Sequence, residues 1–340
     1  DRPRPIHREP ALAGTFERCV GPLIDQMLDG GALAPSVMTF SGSAPTALGG
    51  QVQAVLDGGR PFDSLAAGIR SDFDQLAPWA EALIACSRTS AVGVDDGLGP
   101  FASPNHPRDR APLQILVAGK VSALQLWKEL SAENADHSIS KCTDVLAAAR
   151  DAALDKGLVG AMVGTAMTKT VTPACGAALN QAQADTRRRF LDELARIRKG
   201  FPRFSEVLRV ERATRQLDVF GRYLSSEQFL KLPPGAQAQV RPNVDPPVSS
   251  LLWLWWGSYL DRTNRFLEAA DQPARDELFG EIESERDLLD WFLFETLPVP
   301  SFREFALRYD AALRALDLLE SAARAAAGEP ALPGIVTTPE

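Results

Sequence analysis

The chain has 340 residues, of which 45% are hydrophobic and 24% charged, and its formal net charge is −8. This composition is that of a globular protein, long enough for one large helical domain or two smaller ones. The acidic balance provides no positively charged surface of the kind that nucleic-acid-binding proteins carry. No stretch has the length and apolarity of a transmembrane helix, so we expect no transmembrane segment in this chain.

Helical periodicity dominates the N-terminal third. Residues 1–10 are polar and proline-rich, which predicts an extended lead-in. Apolar residues at helical spacing predict helices over Ala11–Leu28, Ser64–Arg88 and Leu113–Ser131. We expect the second helix in two pieces, because Pro78 fits the first turn of a new helix.

Two long segments separate these helices, residues 29–60 and 89–112, and both are rich in Gly, Ser and Pro. Apart from a short helix at Gln51–Leu56, we expect irregular chain there. A loop of more than about 20 residues within a compact protein is usually functional or disordered. The sequence leaves both alternatives open.

A helical hairpin is predicted over Lys141–Leu179, with its two helices meeting at Gly157. Gly160 and Gly164 are four residues apart and therefore share one face of the second helix. Their lack of side chains predicts that the two helices pack closely.

The four cysteines fit two bridges. Cys142 lies 15 residues before Gly157 and Cys175 lies 18 residues after it, so an antiparallel hairpin brings the two side by side. We therefore predict a Cys142–Cys175 disulfide, and by elimination a Cys19–Cys86 disulfide. The alternative is buried free thiols, which behave as small apolar side chains. Disulfides would favour a location outside the cytoplasm, periplasmic or secreted, over the cytoplasmic alternative.

The C-terminal half is also predicted to be helical. Long helices are expected over Pro173–Lys199 and Arg203–Lys231, and a proline-rich linker over residues 232–247. Three further helices follow, at Ser249–Ala269, Pro273–Glu295 and Phe302–Ala327.

No sustained alternation typical of strands is present. We therefore predict an all-α protein of paired antiparallel helices, forming a bundle or a short irregular α-solenoid. The predicted regions are a lead-in (1–10), an N-terminal helical region (11–112), central hairpins (113–231), the linker (232–247), a C-terminal three-helix region (248–328) and a tail (329–340).

An aromatic block at residues 251–260 is the first candidate site. Its helix would be apolar on all sides, so it is either a central core helix or a surface offered to a partner. In the second case Trp253, Trp256, Tyr259 and the nearby Phe266 are the predicted interface residues.

Two carboxylates form the second candidate site. Glu285 falls on the apolar stripe of its predicted helix, where desolvation would raise its pKa as a general acid requires. Glu211 edges the apolar seam of the helix before the linker, and the two acids would suit a hydrolase if their helices met. The alternative is that neighbouring arginines pair with both acids structurally.

The three histidines do not form a recognisable catalytic or metal-binding pattern. His106, within the segment 89–112, is a weak catalytic candidate without identifiable partners. No His has a second ligand at metal-binding spacing, so we expect neither a metal site nor a cofactor.

Enzymes usually carry polar residues that converge on one site, and this sequence shows few of them. We therefore favour a non-catalytic scaffold or subunit that binds another protein, in the cell envelope. The first alternative is a carboxylate-using hydrolase with a cleft between helices. The second is a carrier of lipid or another small ligand, with the tryptophans of the aromatic block around a cavity.

Overall fold

The computed structural model describes residues 19–25, 40, 47–88, 111–155, 157–212, 260–285, 301–330 and 332. Every regular element within these ranges is a helix, which confirms the predicted all-α fold. The α-helices with defined bounds are α1 (Ala47–Leu56), α2 (Ala67–Ala85), α3 (Ala111–Ser131), α4 (Ala135–Asp155), α5 (Gly157–Gln181), α6 (Ala184–Gly200), α7 (Arg275–Ser284) and α8 (Phe302–Ala327). Residues 204–212 and 260–269 are helical as well.

The centre of the fold is the hairpin of α4 and α5, as the sequence predicts. The chain reverses at Gly157, whose φ of 57° lies in the left-handed region that favours glycine. A Cβ atom at Gly164 would lie only 2.4 Å from the Ala149 carbonyl oxygen, so the helices touch backbone to backbone there. The predicted close packing of this hairpin is confirmed.

The remaining helices pack around this hairpin. Helix α3 contacts both α4 and α5, α2 covers α3, and α8 lies against α5 and α6. Helices α6 and α8 run antiparallel, since Arg187 donates to the Ala326 carbonyl at 3.4 Å while Arg198 binds Asp317 at 2.5 Å. The arrangement is a helical bundle with the α4–α5 hairpin inside.

Two apolar clusters form the core. The larger one joins α1 to α6 with the C-terminal half of α8. The smaller one is built largely from aromatic rings and joins the start of α5 to residues 204–208, 266–270, α7 and the first turns of α8. Leu313 of α8 packs against both clusters, so this helix connects them.

The expected break at Pro78 is wrong. Helix α2 runs unbroken from Ala67 to Ala85 with Pro78 inside it. Proline removes one intrahelical hydrogen bond, and the carbonyl it leaves is that of residue 74. Because Asp74 and Pro78 are both exposed, water can bind that carbonyl and the helix continues.

The long helix expected over Pro173–Lys199 is also wrong. Pro173 lies inside α5, which ends at Gln181, and α6 starts at Ala184. The Asp136 carboxylate accepts a hydrogen bond from the Gln183 backbone N–H at 2.9 Å and stabilises the extended residue between the helices. The proline-rich segment 232–247 lies outside the described residues.

Candidate functional site

The cysteines come together in the two expected pairs. Cys19 and Cys86 have their Cα atoms 5.6 Å apart, and Cys142 and Cys175 have theirs 5.7 Å apart, both within the range of disulfides. No cysteine is left over. One bridge ties the end of α2 to residues 19–25, and the other ties α4 to α5.

Glu211 has a structural role at the start of α5. Its side-chain Oε2 accepts a hydrogen bond from the Leu158 backbone N–H at 3.0 Å, and the residue is buried. It thus binds one of the N–H groups that the first turn of α5 cannot satisfy internally. A carboxylate held in this way stabilises the helix terminus.

The desolvated environment expected for Glu285 is wrong. Helix α7 ends at Ser284, and Glu285 has a non-helical ψ of 88° that takes it off the apolar stripe. Its exposed carboxylate accepts hydrogen bonds from both terminal guanidinium nitrogens of Arg265, the one from Nη2 at 2.7 Å. Hydrogen bonding to Arg265 lowers the pKa of Glu285, the opposite of what a general acid needs. Each candidate acid is therefore engaged with its own structural partner.

Phe266 is a core residue, which corrects its prediction as an interface residue. It is 1% exposed, and its ring centroid lies 4.9 Å from that of Phe279 and 4.7 Å from that of Phe302. The other predicted interface residues, Trp253, Trp256 and Tyr259, lie outside the described residues, as does His106.

The described ranges contain neither a candidate metal site nor a candidate membrane span. There, no three His, Cys, Asp or Glu side chains converge to hold a metal ion. In the same ranges no helix has both the length and the apolarity needed to span a bilayer.

The outward side of α8 carries a second apolar row. We call it the α8 outward row: Leu307, Ala311, Arg314, Leu318, Ala322 and Ala325. These residues recur at three- and four-residue intervals and are all exposed, opposite the buried face that contains Phe305, Leu316 and Ala323. Leu307 is 41% exposed and Leu318 49%.

A surface helix normally presents charged and polar residues to water on its outward side. Here five of the six residues in the row are apolar. The row extends over about 27 Å, taking 1.5 Å per residue from Leu307 to Ala325. Its three alanines leave a shallow track that another helix can approach closely.

The row itself contains one charged residue, Arg314, near its middle. Within the described part of the chain, no ion pair forms to its guanidinium. Two further exposed cations of α8 lie near the row: Arg308, which forms an ion pair with Glu304 one turn away, and Arg303, one turn before Leu307. The α8 outward row is therefore an apolar track with a positive charge, Arg314, near its middle.

Sequence reasoning predicted α8 with its correct bounds but did not single out this row. The signal was present as apolar residues at positions 307, 311, 318, 322 and 325. It was missed because the same helix carries a second, larger apolar face. Only the fold shows which of the two faces is buried.

Comparison of the chain with protein-family models, with curated proteins and with solved structures finds no match.

Proposed function

We propose that this protein is a non-catalytic subunit that binds another protein outside the cytoplasm, and that the α8 outward row is its binding surface. The observation that carries the proposal is the exposed apolar row on the side of α8 opposite its core face. An exposed apolar surface along a helix costs solubility, and such surfaces mark interaction sites.

The occupant we infer is an amphipathic helix of a different protein. A helix laid along the row would place its own apolar residues against Leu307 and Leu318 and over the alanines between them. A carboxylate at the middle of that helix would pair with Arg314. A second copy of this chain is disfavoured, because a two-fold pairing centred on the row would bring Arg314 near its own copy.

The location outside the cytoplasm is supported by the two cysteine pairs at disulfide distance. Such bridges persist in oxidising compartments and are rare in the cytosol. The hydrolase alternative loses support, because Glu211 caps α5 and Glu285 pairs with Arg265.

The test compares Leu318→Glu with Leu113→Glu after expression of tagged proteins in the native host. Leu113 is the matched control, since it is 44% exposed but lies on α3. We expect a stoichiometric protein to co-purify with the wild type and with the control, and to be lost from Leu318→Glu. With the purified partner, Leu318→Glu should weaken binding at least about tenfold, which corresponds to 1.4 kcal/mol.

Unchanged thermal unfolding of both variants would show that neither charge disturbs the fold. Equal retention of the partner by wild type and Leu318→Glu would contradict the proposal. So would the absence of any stoichiometric partner.

A further inference from the structure

A cleft of about 410 Å³ lies between α2, α3 and α4, and its lining residues do not include any of the α8 outward row. One wall comes from α2 and is mainly apolar, with Pro78, Ala82 and Ile84. The opposite wall comes from α3 and α4 and contributes Ser122, Gln125 and Ser140. The volume falls within the range of sites that hold small molecules.

Each cysteine pair ties one wall of this cleft to a neighbouring element outside it: Cys19–Cys86 ties the end of α2 to residues 19–25, and Cys142–Cys175 ties α4 to α5. Cys86 directly follows Ala85, which lines the cleft from α2, and Cys142 directly follows Lys141, which lines it from α4. In addition, Ser87 donates to the Asp144 carbonyl at 3.4 Å and joins the end of α2 to α4. These contacts restrain α2 and α4, and a restrained wall loses less conformational freedom when a ligand binds.

Charged groups at the cleft are paired with one another. Lys141 Nζ lies 2.6 Å from Glu129 Oε1 and 3.9 Å from Glu81 Oε1. The same Glu129 oxygen lies 3.7 Å from His137 Nε2. Asp144 is buried and already interacts with another group of the protein. A charged ligand would lose hydration here without meeting an uncompensated counter-charge.

Three neutral polar side chains line the cleft. The side chains of Ser122, Gln125 and Ser140 make no hydrogen bond to any part of the chain that the structure describes. Ser122 is only 6% exposed, and the little surface it keeps lines the cleft. A donor or acceptor of a bound molecule can replace the water that these side chains meet at the cleft.

We infer that this cleft binds an uncharged small molecule that carries amide or hydroxyl groups on one side and an apolar group on the other. The polar side hydrogen-bonds to Ser122, Gln125 and Ser140, and the apolar side packs on Ala82 and Ile84. This inference does not depend on the α8 outward row.

The probe is N-acetyl-leucinamide, titrated into the intact protein while the methyl resonances of Ile84 and Val145 are followed by NMR. N-acetyl-leucine and leucinamide are matched probes, since they share the apolar body but carry a negative and a positive charge. We expect saturable shifts at Ile84 and Val145 with the neutral probe, and binding about tenfold weaker or more for both charged probes. Methyl groups remote from the cleft, such as that of Ile69, should not shift.

The variants Gln125→Leu and Ser122→Ala should each weaken binding of N-acetyl-leucinamide by about two- to tenfold, the range for one hydrogen bond. Gln53→Leu is the matched control, because Gln53 lies on the exposed side of α1 and bonds to Asp57, and it should bind like the wild type. Three results would each overturn the inference: no saturable shift at the cleft methyl groups, tighter binding of a charged probe, or wild-type affinity in both cleft variants.

Discussion

Gly157 shows at the scale of one residue why the central hairpin closes as it does. Its φ of 57° is strained for any residue with a side chain. A Cβ there would also lie 2.8 Å from the Glu211 Cα and 2.9 Å from the Glu211 nitrogen, both backbone atoms that cannot move aside independently. The reversal therefore requires glycine on two grounds.

Replacing Gly157 with alanine should destabilise the protein by about 3 kcal/mol or more, from the left-handed backbone and the overpacking together. Gly328→Ala is the control, because Gly328 has a φ of 77° but nothing within 4 Å of an added Cβ. That variant should lose only about 1–2 kcal/mol. Equal losses in urea unfolding would show that the contact with Glu211 has no energetic consequence.

Residue-scale prediction from sequence failed at Glu285 and Phe266 for different reasons. Periodicity placed Glu285 inside a helix, but the helix ends one residue earlier, and helix ends are the least certain part of such a prediction. Phe266 was expected at an interface because it is aromatic, although aromatic residues fill cores equally well. The pairing of Glu285 with Arg265 depends on the tertiary fold and has no local signal.

At the scale of elements, the contact between α4 and α5 depends on small residues. Gly164 lies against the Ala149 carbonyl and 2.9 Å from the Ala153 Cβ, as measured from an added Cβ. Gly176 lies on the same helix, yet an added Cβ there would meet nothing within 4 Å. An alanine at position 164 therefore tests the packing between the helices, whereas an alanine at position 176 tests helix propensity alone.

Gly164→Ala should destabilise the protein by about 1–3 kcal/mol, because the helices must move apart. Gly176→Ala should instead stabilise it by about 0.5–1 kcal/mol, since alanine favours helix without crowding a neighbour. Thermal unfolding of both variants measures the difference. A loss of stability in Gly176→Ala, or none in Gly164→Ala, would contradict the packing described for this hairpin.

Elements were predictable where the sequence carried a local signal. Gly157 marked the hairpin turn, and similar distances from it, 15 and 18 residues, indicated that Cys142 pairs with Cys175. The break after Gln181 had no such signal, because Ala182 and Gln183 are ordinary helix residues and the stabilising carboxylate of Asp136 comes from another helix. Pro78 and Pro173 each carried a local signal for a helix start, yet both lie inside helices, and at Pro78 the residue whose carbonyl loses its partner is exposed to water.

At the scale of the whole molecule, one cysteine pair links α2 to the N-terminal residues 19–25, and the other links the two helices of the central hairpin. Their sequence separations are 67 residues for Cys19–Cys86 and 33 for Cys142–Cys175. A disulfide that closes a longer loop restricts the unfolded chain more, so loop-closure entropy makes the Cys19–Cys86 bridge more stabilising than the other by about 0.6 kcal/mol. The first bridge also fixes the end of α2 at the cleft.

Replacing each pair with two alanines should cost about 3–4.5 kcal/mol, with the greater loss for the Cys19–Cys86 pair. Urea unfolding of the two double variants measures this order. Alkylation of the unfolded but unreduced protein is the direct check of the bridges, and it should modify no thiol. Four alkylated thiols would contradict both bridges and remove the support for a location outside the cytoplasm.

The central claim, that another protein binds along the α8 outward row, is tested most directly by site-specific photo-crosslinking in the native host. A photoreactive amino acid would replace Leu318 in one strain and the equally exposed Leu113 of α3 in another. The account predicts one dominant crosslinked protein at position 318, joined through a helical segment that carries an acidic residue, and no such product at position 113. No product at 318, or the same product at both positions, would contradict it.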